Sequence, residues 1–238
     1  MGFAAEDFLV YKFNMESDKV VKISPSSLNL YLDCPRCFWL QMNKGIKRPK
    51  TPTSSLPNGI DLTLKVYFDH WRGKGGMPPL LKDNLPGRLL ADRALISKFR
   101  SRTFQIFDNE VKAYFGGILD DALELSDGSI VPLDNKTRGF PPIEPHSSHI
   151  IQMSSYTWLL KESGFKTQNL AYLIYWFFNH KNFDLEKPLH FNVSVEELNT
   201  NPEFIQKTFR QAVLSLKEPT PPANLKCQFC PYRQGVTD

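Results

Sequence analysis

Long hydrophobic runs are missing from this chain: the longest, Leu170 to Phe178, is nine residues, half of the roughly 18 that a membrane-spanning helix requires. No basic segment followed by an apolar one stands at the N-terminus, so export and membrane insertion are not expected and the cytoplasm is the expected compartment. Charge of one sign is lacking too. The 29 Lys and Arg against 25 Asp and Glu leave a net +4, which permits a nucleic-acid partner without demanding one. Repeats and low-complexity tracts are absent, and 238 residues suit one α/β domain with an elaboration.

Cysteine is scarce, and its placement is informative. All four fall in two pairs at opposite ends of the chain, Cys34-Pro35-Arg36-Cys37 and Cys227-Gln228-Phe229-Cys230. In an intracellular protein such pairs read as thiolate ligands rather than disulfides. Two pairs that use every cysteine point to a four-thiolate site for zinc or an iron–sulfur cluster. Such a site ties the chain ends together across roughly 190 residues, and metal binding then contributes folding free energy.

The middle of the chain carries the reactive chemistry. Two strand-like runs, 117 to 125 and 130 to 136, are joined by the turn signal Asp127-Gly128. Alternation puts Asp134 and Lys136 on one face of their strand, and a tight hairpin lays Asp120 beside them. Two carboxylates and an amine at neighbouring strand ends suit a divalent cation with a positive side chain next to it.

Along the chain, residues 1 to 22 read as a loosely packed arm or an edge strand. Ser24-Pro25 starts a helix that breaks at Pro35. Residues 44 to 58 form a basic loop whose Lys44, Lys47, Arg48 and Lys50 can follow a phosphate backbone. A helix is expected over 59–72 and a short one over 89–100, where Arg93, Lys98, Arg100 and Arg102 with Phe99 and Phe104 suggest a nucleic-acid face. The spacing predicts a helix over 147–163 with Gln152 and Tyr156 on one side. A buried strand over 170–178, a polar loop over 179–188, a strand over 190–195 and a helix over 195–216 follow. A Pro-rich spacer then delivers the last cysteines. The strands, with one more over 110–115, make a central mixed sheet flanked by helices.

Read in order, Ser26-x4-Tyr31-x2-Cys34-Pro35-Arg36, Gly117-x2-Asp120, Asp134-x-Lys136, Gln152-x3-Tyr156 and Cys227-x2-Cys230-Pro231-Tyr232-Arg233 resemble the PD-(D/E)XK nuclease superfamily. Within it they resemble the RecB-like and Cas4-like nucleases that carry a cysteine-bound iron–sulfur cluster. The resemblance implies a restriction-endonuclease-like α/β core and a single nuclease domain over 1–238, with 24–58 and 217–233 forming the cluster region and 59–216 the catalytic core. It implies that Asp120, Asp134 and the backbone carbonyl of Asn135 ligate Mg²⁺ or Mn²⁺, and that Lys136 orients the attacking water and stabilises charge on the phosphate. Gln152 and Tyr156 would help hold the nucleic-acid strand. It further implies hydrolysis of DNA, as an exonuclease on single strands or ends, with partners in repair, recombination or CRISPR adaptation.

The chain departs from that pattern in two places. Relatives usually place a metal-binding His on the helix before the first catalytic strand, where this chain offers Asp61, Asp69 or His70. Cas4-like proteins usually carry one N-terminal and three C-terminal cysteines, and the position of the last is Val236 here, so Cys37 takes its place in the count of four. A [4Fe-4S] cluster is the expectation, with tetrahedral Zn²⁺ as the alternative that the same four ligands allow. Two other function classes fit parts of the sequence: a non-catalytic nucleic-acid-binding module with a structural zinc site, and a redox-sensing or electron-transfer centre on a nuclease-like carrier.

Overall fold

A computed structural model describes residues 20–49, 55–178, 186–188 and 190–231. The expected N-terminal arm through residue 19, Lys50, most of the polar loop after residue 178, and Tyr232, Arg233 and Val236 lie outside the described residues. Strand β1 is Lys22–Ile23. Helix α1, Pro25–Asp33, starts as expected, with the Ser24 hydroxyl accepting from the Ser27 N–H and proline in the first turn, where no N–H partner is lost. The break at Pro35 is also present: Cys34 ends α1 and caps helix α2, Pro35–Lys44, which stops at Gly45 in the left-handed region (φ 69°).

Helix α3, Leu56–Gly73, begins three residues earlier than the sequence suggests. Pro57 and Gly59 read as loop residues, yet proline is tolerated in a first helical turn. Leu64, Phe68 and Arg72 recur every four residues along its buried face. Strand β2, Arg88–Leu89, and helix α4, Arg93–Phe99, divide what looks like one helix, because Asp92 accepts from the Leu95 N–H and fixes the start.

Strands β3, Gln105–Asp108, β4, Ala113–Gly116, β5, Asp121–Glu124, and β6, Ile130–Arg138, follow. Helix α5 is Ser147–Glu162 and strand β7 is Leu170–Phe177. Strand β8, Asn192–Asn199, and helix α6, Pro202–Ser215, complete the described elements. The helix expected from Val195 starts seven residues later: β8 stays paired with β7 from Phe177↔Asn192 to Leu170↔Asn199, and Asn201 with Pro202 supplies the real helix signal.

The main sheet has the order β2-β5-β6-β7-β8, with β6 and β7 parallel and the other neighbours antiparallel. It is therefore the mixed, helix-flanked sheet the sequence implies. The strand near 110–115 is not part of it. That segment, β4, belongs to a second sheet of order β1-β4-β3. Residues 117–120 are likewise not strand but a crossing between the two sheets, where the Gly117 and Leu119 N–H groups donate to the Phe104 and Phe99 carbonyls. A Cβ on Gly117 would sit 3.0 Å from the Tyr156 ring, so the crossing needs glycine to pass this close to α5.

Strand β7 explains its own composition. Leu173 and Tyr175 face a core shared with α5, α6 and the small sheet, while Tyr172, Ile174 and Trp176 face one shared with α3. A strand covered on both faces has no solvent side to make polar.

Candidate functional site

Pairing between β5 and β6 ends at Asp121↔Leu133, while β6 continues along β7 to Arg138. The strands part there, and Asp120, Asp134 and Lys136 stand at the opening between α3 and α5. The adjacent acids Asp120, at the end of the crossing, and Asp121, the first residue of β5, have opposite surroundings. Asp121 is sealed, its two oxygens 2.8 and 2.7 Å from Arg72 Nη2, and the other Arg72 terminal nitrogen donates to the Leu90 carbonyl. Arg100 links this pair outward to Asp69, and its Nε donates to the Asp120 carbonyl at 2.7 Å. The buried ion pairs thus hold the backbone of Asp120 while its carboxylate faces the opening.

Asp134 is buried, and burial raises its pKa, against the pull of Lys136 and with the Asp120 and Asp61 carboxylates adding to the rise. Its Oδ2 lies 2.7 Å from Lys136 Nζ yet has no donor in hydrogen-bonding geometry. Lys136 Nζ donates to Gln152 Oε1 at 2.9 Å, Gln152 Nε2 donates to the Tyr156 hydroxyl at 3.0 Å, and that hydroxyl donates to the Ile118 carbonyl. Burial pushes the Tyr156 phenol up, with Asp134 and Asp120 adding to it, so it stays protonated. This relay runs from the lysine to the loop carrying Asp120. Gln152 and Tyr156 also line a cavity of 460 Å³ with Lys22, Ser26 and Arg102.

Of the three acids and imidazoles available on α3, the structure brings Asp61 to the opening. Lys65 Nζ bridges Asp61 Oδ2 (2.9 Å) and Asp120 Oδ1 (3.0 Å). Burial works against the Lys65 ammonium, but the two carboxylates outweigh it and its pKa is raised. Asp69 is taken by Arg72 and Arg100, and His70 stacks edge-on against Trp71. The Asn135 side-chain oxygen accepts from Trp176 Nε1 at 2.7 Å. His149, on α5, is held neutral: burial, with Lys136, His146 and Arg138 adding positive charge, lowers its pKa to about 4.

The donor set is one that a hard divalent cation prefers: carboxylate oxygens only, one of them a buried oxygen with no directed partner. Asp120 and Asp61 lie near enough for their charges to act on Asp134; among the described residues, only the four cysteines bring three or more His, Cys, Asp or Glu ligand atoms within 4.8 Å of one another. The second centre is softer. Cys34 caps α2 and accepts from the Cys37 N–H at 3.4 Å, and the four thiol sulfurs lie within 4.8 Å of one another. Cys34–Cys230 and Cys37–Cys227 sulfurs are 3.5 and 3.7 Å apart, far beyond the roughly 2.05 Å of a disulfide. The four can bind a metal. Burial raises the Cys34 and Cys37 thiols; at Cys227 burial is outweighed by the Phe229 N–H and the neighbouring thiols, and its pKa falls to about 7. Arg48 is not a free loop cation: it pairs with Asp33 at 2.5 Å, donates to Cys227 Sγ at 3.4 Å and lies over the Phe229 ring.

The nucleic-acid face expected around Arg93 to Phe104 does not form as such, because Phe99 and Phe104 are core residues and Arg100 points into the ion-pair network. Arg72 and Lys65 escaped the sequence reading, although signals existed. Arg72 continues the Leu64–Phe68 stripe and therefore needs a buried acid, and Asp61-x3-Lys65-x3-Asp69 forms the adjoining stripe.

The model of the PD-(D/E)XK nuclease superfamily matches residues 72–234. The chain belongs to the PD-(D/E)XK nuclease superfamily. Its activity class is therefore that of a metal-dependent nuclease, and nucleic acid is the implied ligand. Twelve solved chains match as well. One, described as "Crystal structure of SSO0001", is 16% identical with a TM-score of 0.49, over 98% of this chain and 95% of that one. No curated protein matches the chain. Among the described residues of this PD-(D/E)XK protein, no helix is long and apolar enough to cross a membrane.

Proposed function

We propose that this protein is a divalent-metal-dependent deoxyribonuclease of the RecB-like or Cas4-like kind, cutting single-stranded DNA or DNA ends. The observation that carries the reading is the buried Asp134 oxygen without a directed donor, flanked by Asp120, Asp61 and the pinned Lys136. Asp134, Asp120 and Asp61, with the Asn135 backbone carbonyl, are the ligands for Mg²⁺ or Mn²⁺. When bound, the ion polarises the scissile phosphate and acidifies a water ligand.

The remaining work falls to side chains. Lys136, anchored by Asp134 and Gln152, sets a fixed positive charge at the phosphate and orients the attacking water. Gln152 and Tyr156 keep the lysine and the Asp120 loop in register, and the cavity they line, with Lys22 and Arg102 at its rim, receives the strand. The cysteine centre joins the chain ends as one structural unit with the catalytic core. Its four sulfurs, within 4.8 Å of one another, are the ligands for a [4Fe-4S] cluster, with a single tetrahedral zinc as the alternative that the same four thiolates allow. A brown protein with iron and visible absorption is the expected result; about one zinc per chain in colourless protein reverses that choice.

Cleavage of end-labelled single- and double-stranded DNA with Mg²⁺ or Mn²⁺, by wild type and Lys136→Ala, tests the function. Wild type should cut and Lys136→Ala should lose nearly all activity with its fold intact. If neither cuts while both bind DNA, the protein is a binding module and not an enzyme.

A further inference from the structure

We infer that Lys65 is a built-in competitor for the divalent cation, an ammonium lodged between two of the carboxylates the ion needs, which must swing away before the ion can enter. The inference rests on the metal-dependent reading above. It starts from the contrast between the two lysines of the site. Lys136 is held by a carboxylate and by a neutral amide, at 2.7 Å from Asp134 and 2.9 Å from Gln152, so it keeps a partner whatever occupies the carboxylates. Lys65 is held by carboxylates alone, 2.9 Å from Asp61 and 3.0 Å from Asp120.

The place it occupies is defined from both sides. Asp61 and Lys65 are one turn apart on α3 and share a face, while Asp120 comes from the crossing before β5. One turn further along α3, Asp69 is claimed instead by Arg72 and Arg100. Without a cation, Asp61, Asp120 and the buried Asp134 would repel one another; the Lys65 ammonium, between Asp61 and Asp120, offsets part of that repulsion. A lysine suits this task better than an arginine. It is a compact charge on a flexible stem, and its side chain is 29% exposed, so it can rotate into solvent.

A neutral side chain of similar length removes the competitor and leaves the carboxylates. Mn²⁺ titration by calorimetry, on the protein with its cysteine centre intact and without nucleic acid, reads the effect directly. Lys65→Met should bind Mn²⁺ about tenfold more tightly than wild type. Its melting temperature should be lower without Mn²⁺ and should rise further on adding it. Lys65→Gln should behave in the same way, which covers a failure of the methionine variant to fold. An ordinary surface ion pair would instead lower the melting temperature and leave Mn²⁺ affinity unchanged; equal or weaker binding by the variants, with normal binding by wild type, overturns the inference and leaves the nuclease reading standing. Absence of Mn²⁺ binding in wild type and variants alike overturns both.

Discussion

At the strand opening, three carboxylates meet two lysines, so the site carries its own counter-charge. At the joined chain ends, four thiols face one another with Arg48 at the rim. The first arrangement keeps its shape without a metal, because Lys65 and Lys136 stand in for the missing charge. The second is tied to the N-terminal segment by a few polar contacts, Trp39 and Asn43 donating to the Glu218 and Leu216 carbonyls and Arg48 reaching Cys227 and Phe229, while its apolar packing is chiefly the four cysteines with Ala223, Leu30 and Phe229. A catalytic ion must come and go, whereas a structural one must stay. The side chains suit that division, with carboxylate oxygens in one place and four thiols that can bind a metal in the other.

The sharpest test of the contrast is to remove each metal in turn. Cys34→Ser or Cys227→Ser should release the cysteine-bound metal and lower stability by several kcal/mol, since structural four-ligand sites supply on the order of 10 kcal/mol of binding free energy to the folded state. Chemical denaturation and metal analysis would register both changes. Withdrawing Mg²⁺ or Mn²⁺ should stop cleavage and lower the melting temperature far less than loss of the cysteine-bound metal does. Equal destabilisation by both treatments would erase the distinction.

Next in size is Asp134→Asn. It should lower the cleavage rate by roughly 10²–10³-fold, the scale of losing one preorganised electrostatic group, without lowering stability in buffer free of divalent ions. The reason is that burial makes the ionised Asp134 costly in the folded state. Loss of activity with loss of stability would mean that Asp134 is a structural acid like Asp121.

Asp121 supplies the internal control. Arg72→Met leaves the sealed Asp121 carboxylate without its main cation and should cost about 3–5 kcal/mol. The double variant Arg72→Met/Asp121→Leu should recover most of that in a denaturant titration, because an apolar pair leaves no unmatched charge. Failure of the double variant to recover would show that Arg100 and the Asp120 backbone depend on Asp121 itself.

Local signals carried much of this architecture. The Ser24-Pro25 start of α1, the break at Pro35 and the hairpin at Asp127-Gly128, with Gly128 at φ 78° and Ser129 donating to Asp127, are all properties of a few adjacent residues. The apolar run of β7 declared a doubly covered strand. What stayed hidden depends on distant partners. Parallel pairing of β1 with β4 joins residues about 90 positions apart, so nothing near β4 reveals that it leaves the main sheet. Choosing Asp61 over Asp69 required knowing where Arg100 goes. That Asp120, Asp134 and Lys136 would meet at one opening was legible because β6 alternation and one hairpin place them; the place of Lys65 was not, because it follows from the packing of α3 across the sheet.

The smallest effect compares a fully partnered carboxylate with the strained one. Burial opposes ionisation of Asp108, but Arg210 and the N–H groups of Val111 and Glu110 outweigh it and hold its pKa below the usual carboxylate value. Its ionised form is favoured by folding, so wild type should exceed Asp108→Asn in stability by about 1–2 kcal/mol above the ordinary carboxylate pKa. That advantage should fade as pH falls through the depressed folded value. Asp134 has the opposite sign. Its raised pKa means that folding favours the protonated form, so the penalty on wild type is full above the folded pKa and vanishes below the ordinary one. Plotted against pH in buffer free of divalent ions, the Asp108→Asn and Asp134→Asn stability differences should therefore diverge in opposite directions from a common value near zero at low pH. Two curves of the same sign would mean that Asp134 has a donor for its second oxygen after all, and the strain assigned to the catalytic acid would be lost.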